Sequence, residues 1–208
     1  NPDIALKECE IAMIADLSAQ KQVYHCPTLI ASERICNVGC RNNYLEEPEM
    51  VYIPGRIKKG MQFLQNASYS LLKKNNLKPN HDYIPYLFKV IQKLKKYGAK
   101  IILGTDKATP YVTAGFSVHK ELDLLCKAGL SPFEAIQAGT INAALCLNKA
   151  NELGSIEVGK TANLLLTDNN PLVDISTLKT HCGVMIKGQW ISKDKCNQIL
   201  DEIKKRIN

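Results

Sequence analysis

The stretch from Ile84 to Asp106 most narrows what this chain can fold into. Ile84, Leu87, Phe88, Ile91 and Leu94 recur at i, i+3, i+4 and i+7, the spacing of one face of a helix, with Lys93, Lys95 and Lys96 on the polar side. Gly98 stands where a left-handed residue would end that helix. Lys100-Ile101-Ile102-Leu103 comes next and is apolar enough for a short strand buried on both faces, and Gly104-Thr105-Asp106 leaves it. Helix, glycine, buried strand is the rhythm of a parallel α/β fold.

The flanking segments repeat this texture. Ile4, Ile11, Ile14, Ala15 and Ser18 predict a helix over 3–20 that feeds a strand at Val23-Tyr24-His25-Cys26, ended by Pro27. Residues 30–55, broken by Gly39, Pro48, Pro54 and Gly55, read as a long loop with some helix, and long loops in compact domains tend to be functional. Met61, Leu64, Leu71 and Leu72 carry a helix from Ile57 to the polar break at Lys73. Val118, Leu122, Leu125 and Cys126 mark another, stopped by Gly129. Ser131-Pro132-Phe133-Glu134 combines an N-cap serine, a proline at the first helical position and a capping-box glutamate, predicting one helix to about Leu147. Beyond Asn148 short glycine-punctuated segments take over. Leu164-Leu165-Leu166 and Val184-Met185-Ile186 read as strands, the latter entering a hairpin at Lys187-Gly188, and Cys196, Ile199, Leu200, Ile203 and Ile207 give a closing amphipathic helix.

Composition fits a folded chain with a real core: of 208 residues 45% are apolar and 23% charged, which excludes disorder and collagen-like structure. No run approaches the roughly 18 apolar residues of a membrane span. The net charge of +7 would suit an anion- or nucleic-acid-binding module, but the cations are dispersed and lack aromatic interleaving, so neither nucleic acid nor membrane is expected as a partner. Eight cysteines without a CxxC pair read as reduced thiols, and Cys36 and Cys40 lack the second pair or the histidine that zinc would need. The chain opens on Asn1 rather than Met, so further residues are expected upstream, and a targeting signal among them would not be visible in this sequence.

Asp106, just past the end of a buried strand, has the position in which α/β enzymes place catalytic groups, and equally the position of a loop or helix cap. The histidines His25, His81, His119 and His181 show no H-x-H or H-x3-H spacing. His81 and His181 read as surface residues and His25 as a packed one, while His119, near the start of the helix after the Asp106 loop, is close enough to line the same cleft and touch a substrate. No G-x-S-x-G, phosphate-cradling loop or G-x-G-x-x-G occurs.

The ordered run Ile102-Leu103-Gly104-Thr105-Asp106, His119-Lys120-Glu121-Leu122, Ala128-Gly129-Leu130-Ser131-Pro132, Thr140-Ile141-Asn142-Ala143-Ala144, Leu153-Gly154-Ser155-Ile156, Gly159-Lys160-Thr161-Ala162-Asn163 and Val184-Met185-Ile186-Lys187-Gly188 resembles the C-terminal part of the amidohydrolase superfamily. Within it, the imidazolonepropionase-like and prolidase-like members are nearest. The resemblance implies the C-terminal part of a (β/α)8 barrel, its last two strands at 22–26 and 100–105, plus the C-terminal share of a small β-sandwich and a terminal helix. The division would be 1–149, 150–192 and 193–208. It further implies hydrolysis of a carbon-nitrogen bond in an amide, cyclic amide or dipeptide by metal-activated water. Asp106 would be both a metal ligand and the group that moves the proton. One or two zinc-like divalent ions would have most of their ligands upstream of Asn1. The substrate would be a small molecule, the enzyme cytoplasmic, and a homo-oligomer is permitted. The alternative is a catalytically inactive, truncated fragment. Asn163 stands where the family usually has Asp, and Lys107 where a small residue is common.

Overall fold

The structure, a computed structural model, describes residues 6–40, 42–79 and 82–207. In chain order the elements are α1 (Glu8–Gln20), β1 (Tyr24–His25), α2 (Leu29–Asn37), 3-10 turns at Tyr44–Glu46 and Pro48–Tyr52, α3 (Gly55–Lys74), α4 (Tyr83–Lys96), β2 (Lys100–Ile101), α5 (Phe116–Lys127), α6 (Pro132–Gly139), α7 (Ile141–Cys146), β3 (Leu164–Thr167), a 3-10 turn at Ile175–Lys179, β4 (His181–Ile186), β5 (Gln189–Ser192) and α8 (Lys193–Ile207). The fold is mixed α/β.

β1 and β2 pair in parallel, Tyr24 opposite Lys100 and His25 opposite Ile101, and Ile102 N–H extends the ladder to the His25 carbonyl at 2.9 Å. Both are shorter than their apolar runs. For β2 the reason lies in α6: Leu103 N–H turns away from the sheet and donates to the Ala138 carbonyl at 3.0 Å. That bond also corrects the prediction of one helix from Pro132 to Leu147. In a continuous helix the Ala138 carbonyl would accept from residue 142. Here the strand exit takes it, Thr140 leaves helical geometry at φ −125° and ψ −97°, and Asn142 Nδ2 donates to the Ile101 carbonyl at 3.0 Å. The capping box at Ser131 forms as predicted, with Ser131 N–H donating to Glu134 Oε2 at 2.7 Å.

The core gathers Ala15, Leu29, Ile30, Ile91, Leu94, Ile101, Leu122, Leu125, Ala128 and Ala135 from α1, α2, α4, β2, α5 and α6, and Ile175 joins it from the 3-10 turn before β4. Helix α2 falls where the sequence predicts mainly loop, because Leu29, Ile30, Ala31 and Arg34 are all buried. The residue before it, Thr28, is left-handed at φ +45° and gives no side-chain cap.

β3, β4 and β5 form a separate antiparallel sheet in that order. The β4–β5 hairpin turns on Lys187 and Gly188, both at positive φ, as a two-residue turn of this hand requires. Asn163 Oδ1 accepts from Lys187 N–H at 2.8 Å. An aspartate would accept equally well, so Asn163 keeps the turn and drops a charge. The amphipathic α8 lies on β4, β5 and the turn at Pro48–Tyr52. Among the described residues no helix is long and apolar enough to cross a membrane.

Candidate functional site

Parallel pairing brings the C-terminal ends of β1 and β2 to one edge, with Cys26 after one strand and Gly104-Thr105-Asp106 after the other. They touch closely: a Cβ on Gly104 would collide with Cys26 Sγ, so a side chain there would make the Cys26 thiol shift. Asp106 is exposed and left-handed at φ +47°, a conformation in which Asp is among the tolerated residues. Its carbonyl accepts from Thr109 N–H at 3.0 Å and its Oδ2 from Thr109 Oγ1 at 3.2 Å, while Oδ1 has no protein donor among the described residues. Lys107 beside it is exposed.

The sequence reading missed the carboxylate next to this edge. Glu121 on α5 is completely buried, and its two oxygens accept from Leu29 N–H at 2.8 Å and Ile30 N–H at 2.7 Å. It therefore supplies the cap that Thr28 does not, using two of the amides that a helix start leaves unpaired. Burial pushes its carboxyl up to about 7, against the pull of the two N–H groups. The Cys26 thiol is raised in turn, first by burial and then by the Glu121 carboxylate.

A braced segment packs against α5 and the loop that follows β2. Arg34, 3% exposed, pairs with Glu47 at 2.8 Å, and Lys120 on α5 binds the same carboxylate at 2.7 Å and also Glu49. The Arg34 guanidinium lies 3.8 Å from the centre of the Tyr44 ring. Tyr44 meets Tyr111 of the Asp106 loop, and Tyr52 stacks on Phe116 at 5.0 Å. The loop-like segment after β1 is thus bound to α5 and to the loop carrying Asp106.

The histidines divide differently from expectation. His119 is half-buried and interacts with Lys179, Asp123 and His181, and Asp106 is not among the charges acting on it. Its pKa is lowered by burial first and then by Lys179. His181, expected at the surface, is half-buried, and Nδ1 of each histidine is enclosed without a hydrogen-bond partner. His25 faces an apolar crevice of about 160 Å³ lined by Leu87, Val90, Ile91 and Leu94, with Nε2 unpaired. His81 lies outside the described residues, as does Ile4. Among the described residues no three His, Cys, Asp or Glu side chains converge as metal ligands. Asp106 offers an open carboxylate oxygen at a strand exit, a donor that suits one position around a divalent ion.

The profile of the amidohydrolase family matches residues 20–191, and the chain belongs to that family. It is 42% identical over 78 residues to an imidazolonepropionase of Geobacillus, covering 37% of this chain and 18% of that protein. It is 31% identical over 120 residues to a 5'-deoxyadenosine deaminase of Methanobrevibacter smithii, covering 52% and 28%. Among solved structures it resembles a Xaa-Pro dipeptidase with bound methionine in the active site, at 25% identity and a TM-score of 0.59 over 86% of this chain and 36% of that one. The chain spans well under half the length of these relatives.

Proposed function

We propose that this chain forms part of a metal-dependent hydrolase that cleaves a carbon-nitrogen bond in a small amide, cyclic amide or dipeptide, with Asp106 as its catalytic carboxylate. The observation that carries this is the open Asp106 carboxylate at the exit of β2, on the edge where parallel-strand enzymes of barrel type place their chemistry. Imidazolonepropionase, deaminase and dipeptidase relatives support the bond type. In this reading β1 and β2 are the last two strands of a (β/α)8 barrel within residues 1–149. Residues 150–192 are the C-terminal share of a small β-sandwich, and 193–208 the terminal helix. All eight cysteines are free, which supports a cytoplasmic setting.

Asp106 Oδ1 would hold one position on a divalent ion, zinc-like in its chemistry, and the remaining ligands would come from outside the described residues. Such an ion lowers the pKa of water toward neutrality and polarises the scissile carbonyl. Asp106 then has two tasks at one carboxylate: it accepts the proton of the attacking water and returns it to the leaving nitrogen. Thr109 Oγ1, bonded to Oδ2, keeps the group oriented.

The test is hydrolysis of an imidazolone and of a Xaa-Pro dipeptide, with metal content measured alongside. Asp106→Asn should lower kcat/KM by roughly 10²–10⁴, the usual worth of a placed proton-transfer group. Full activity in Asp106→Asn would overturn the assignment.

A further inference from the structure

The loop from Gly104 to Thr113 has two non-glycine residues in the left-handed region, Asp106 at φ +47° and Tyr111 at φ +66°. Asparagine, aspartate and histidine visit that region with some ease, but a bulky aromatic residue does so only when its surroundings over-determine it. At Tyr111 they do. The side chain is 1% exposed, its hydroxyl donates to the Met61 carbonyl of α3 at 2.8 Å, and its ring meets Tyr44 at 5.5 Å between centroids. Burial raises the phenol pKa, so the hydroxyl stays protonated and able to donate.

A short hydrogen-bonded path joins this anchor to Asp106. Val112 N–H donates to the Thr109 carbonyl at 3.2 Å, and Thr109 N–H and Oγ1 both reach back to Asp106. The other end of the anchor is equally fixed: Tyr44 lies under the Arg34 guanidinium, and Arg34 is tied through Glu47 to Lys120. We infer that Tyr111 is a positioning residue for Asp106, a strut from the α3 backbone that holds the loop in its left-handed turns and so sets where the carboxylate points. The inference rests on the reading of Asp106 given above. It adds that the segment between β1 and α4 acts on the carboxylate through this loop.

The experiment is NMR on the full isotope-labelled chain. In Tyr111→Phe, which removes only the hydroxyl, Thr109 and Val112 amides should exchange roughly tenfold faster, the worth of one hydrogen bond. The Asp106 13Cγ resonance should shift while the melting temperature hardly moves. An Asp106 signal and amide rates unchanged in Tyr111→Phe would overturn the inference. So would native-state exchange of the unaltered chain in which Thr109 and Val112 open independently of α3, a measurement that needs no variant to fold. Neither readout depends on hydrolysis, so a fully active Asp106→Asn protein would sink the functional reading without touching the strut.

Discussion

The helical body around β1 and β2 and the three-stranded sheet of β3–β5 solve the same problem by different means. In the body, Leu29, Leu125, Ala128 and Ala135 are fully buried, and the ionisable groups taken inside, Glu121, Arg34 and Glu49, are met by backbone amides or by an opposite charge. In the sheet, Leu164, Leu165 and Leu166 are 37%, 43% and 54% exposed. Order there comes from the antiparallel ladders, the Lys187-Gly188 turn and α8 lying on β4 and β5. Apolar residues therefore contribute unequally: burial converts them into stability in the body, while in the sheet they fill strand positions.

The largest effect that would sharpen this contrast is expected at Leu125→Ala, which removes side-chain atoms from a fully buried site and should cost about 2–5 kcal/mol in urea unfolding. A loss under 1 kcal/mol would show that the body is packed no better than the sheet.

Glu121→Gln comes next. One amide oxygen replaces two carboxyl oxygens under Leu29 and Ile30, for a cost of roughly 1–3 kcal/mol near pH 5. The sign with pH follows from the raised pKa. A carboxyl whose folded value is about 7 against an ordinary 4.5 contributes stability that is present below pH 4.5 and is lost as pH rises toward 7. The variant should lack that decline, so the gap between the two proteins narrows from pH 5 to pH 7.5. Parallel pH profiles would remove Glu121 from this role.

His119 gives the opposite slope at the junction of α5 with the segment leading into β4. Its pKa is lowered below the ordinary 6.5, so the unfolded chain takes up the proton first, and the stability it lends is present above pH 6.5 and lost as pH falls. His119→Gln should flatten the acid limb of a melting-temperature profile. An unchanged acid limb would mean that His119 is no sensor of pH. Smallest of all, Leu166→Ala on β3 should change stability by no more than about 0.5 kcal/mol, and a loss comparable to that at Leu125 would erase the distinction between the two regions.

Much of the architecture was legible because its signals are local. The Ile84–Leu94 stripe, Gly98 and Gly129 at positive φ, the capping box at Ser131 and Glu134, the Lys187-Gly188 turn and the terminal helix all rest on residues within a few positions of one another. The position of Asp106 past a parallel strand was legible for the same reason. What failed was non-local. Helix α2 begins on amides held by Glu121, 92 and 91 residues away, and no nearby residue announces it. The single helix expected after Ser131 divides because Leu103 captures the carbonyl of Ala138. His119 sits with His181 and Asp123 because α5 faces the turn at Ile175–Lys179, a neighbour that spacing along the chain cannot supply.

The sequence by itself thus determined where helices and turns form, and which carboxylate stands at the strand exit, since hydrophobic period, caps and left-handed glycines act over one or two turns of chain. Tertiary structure alone decided which buried groups are charged, capped or left unpaired, because the free energy of a buried polar group depends on partners brought to it from distant segments.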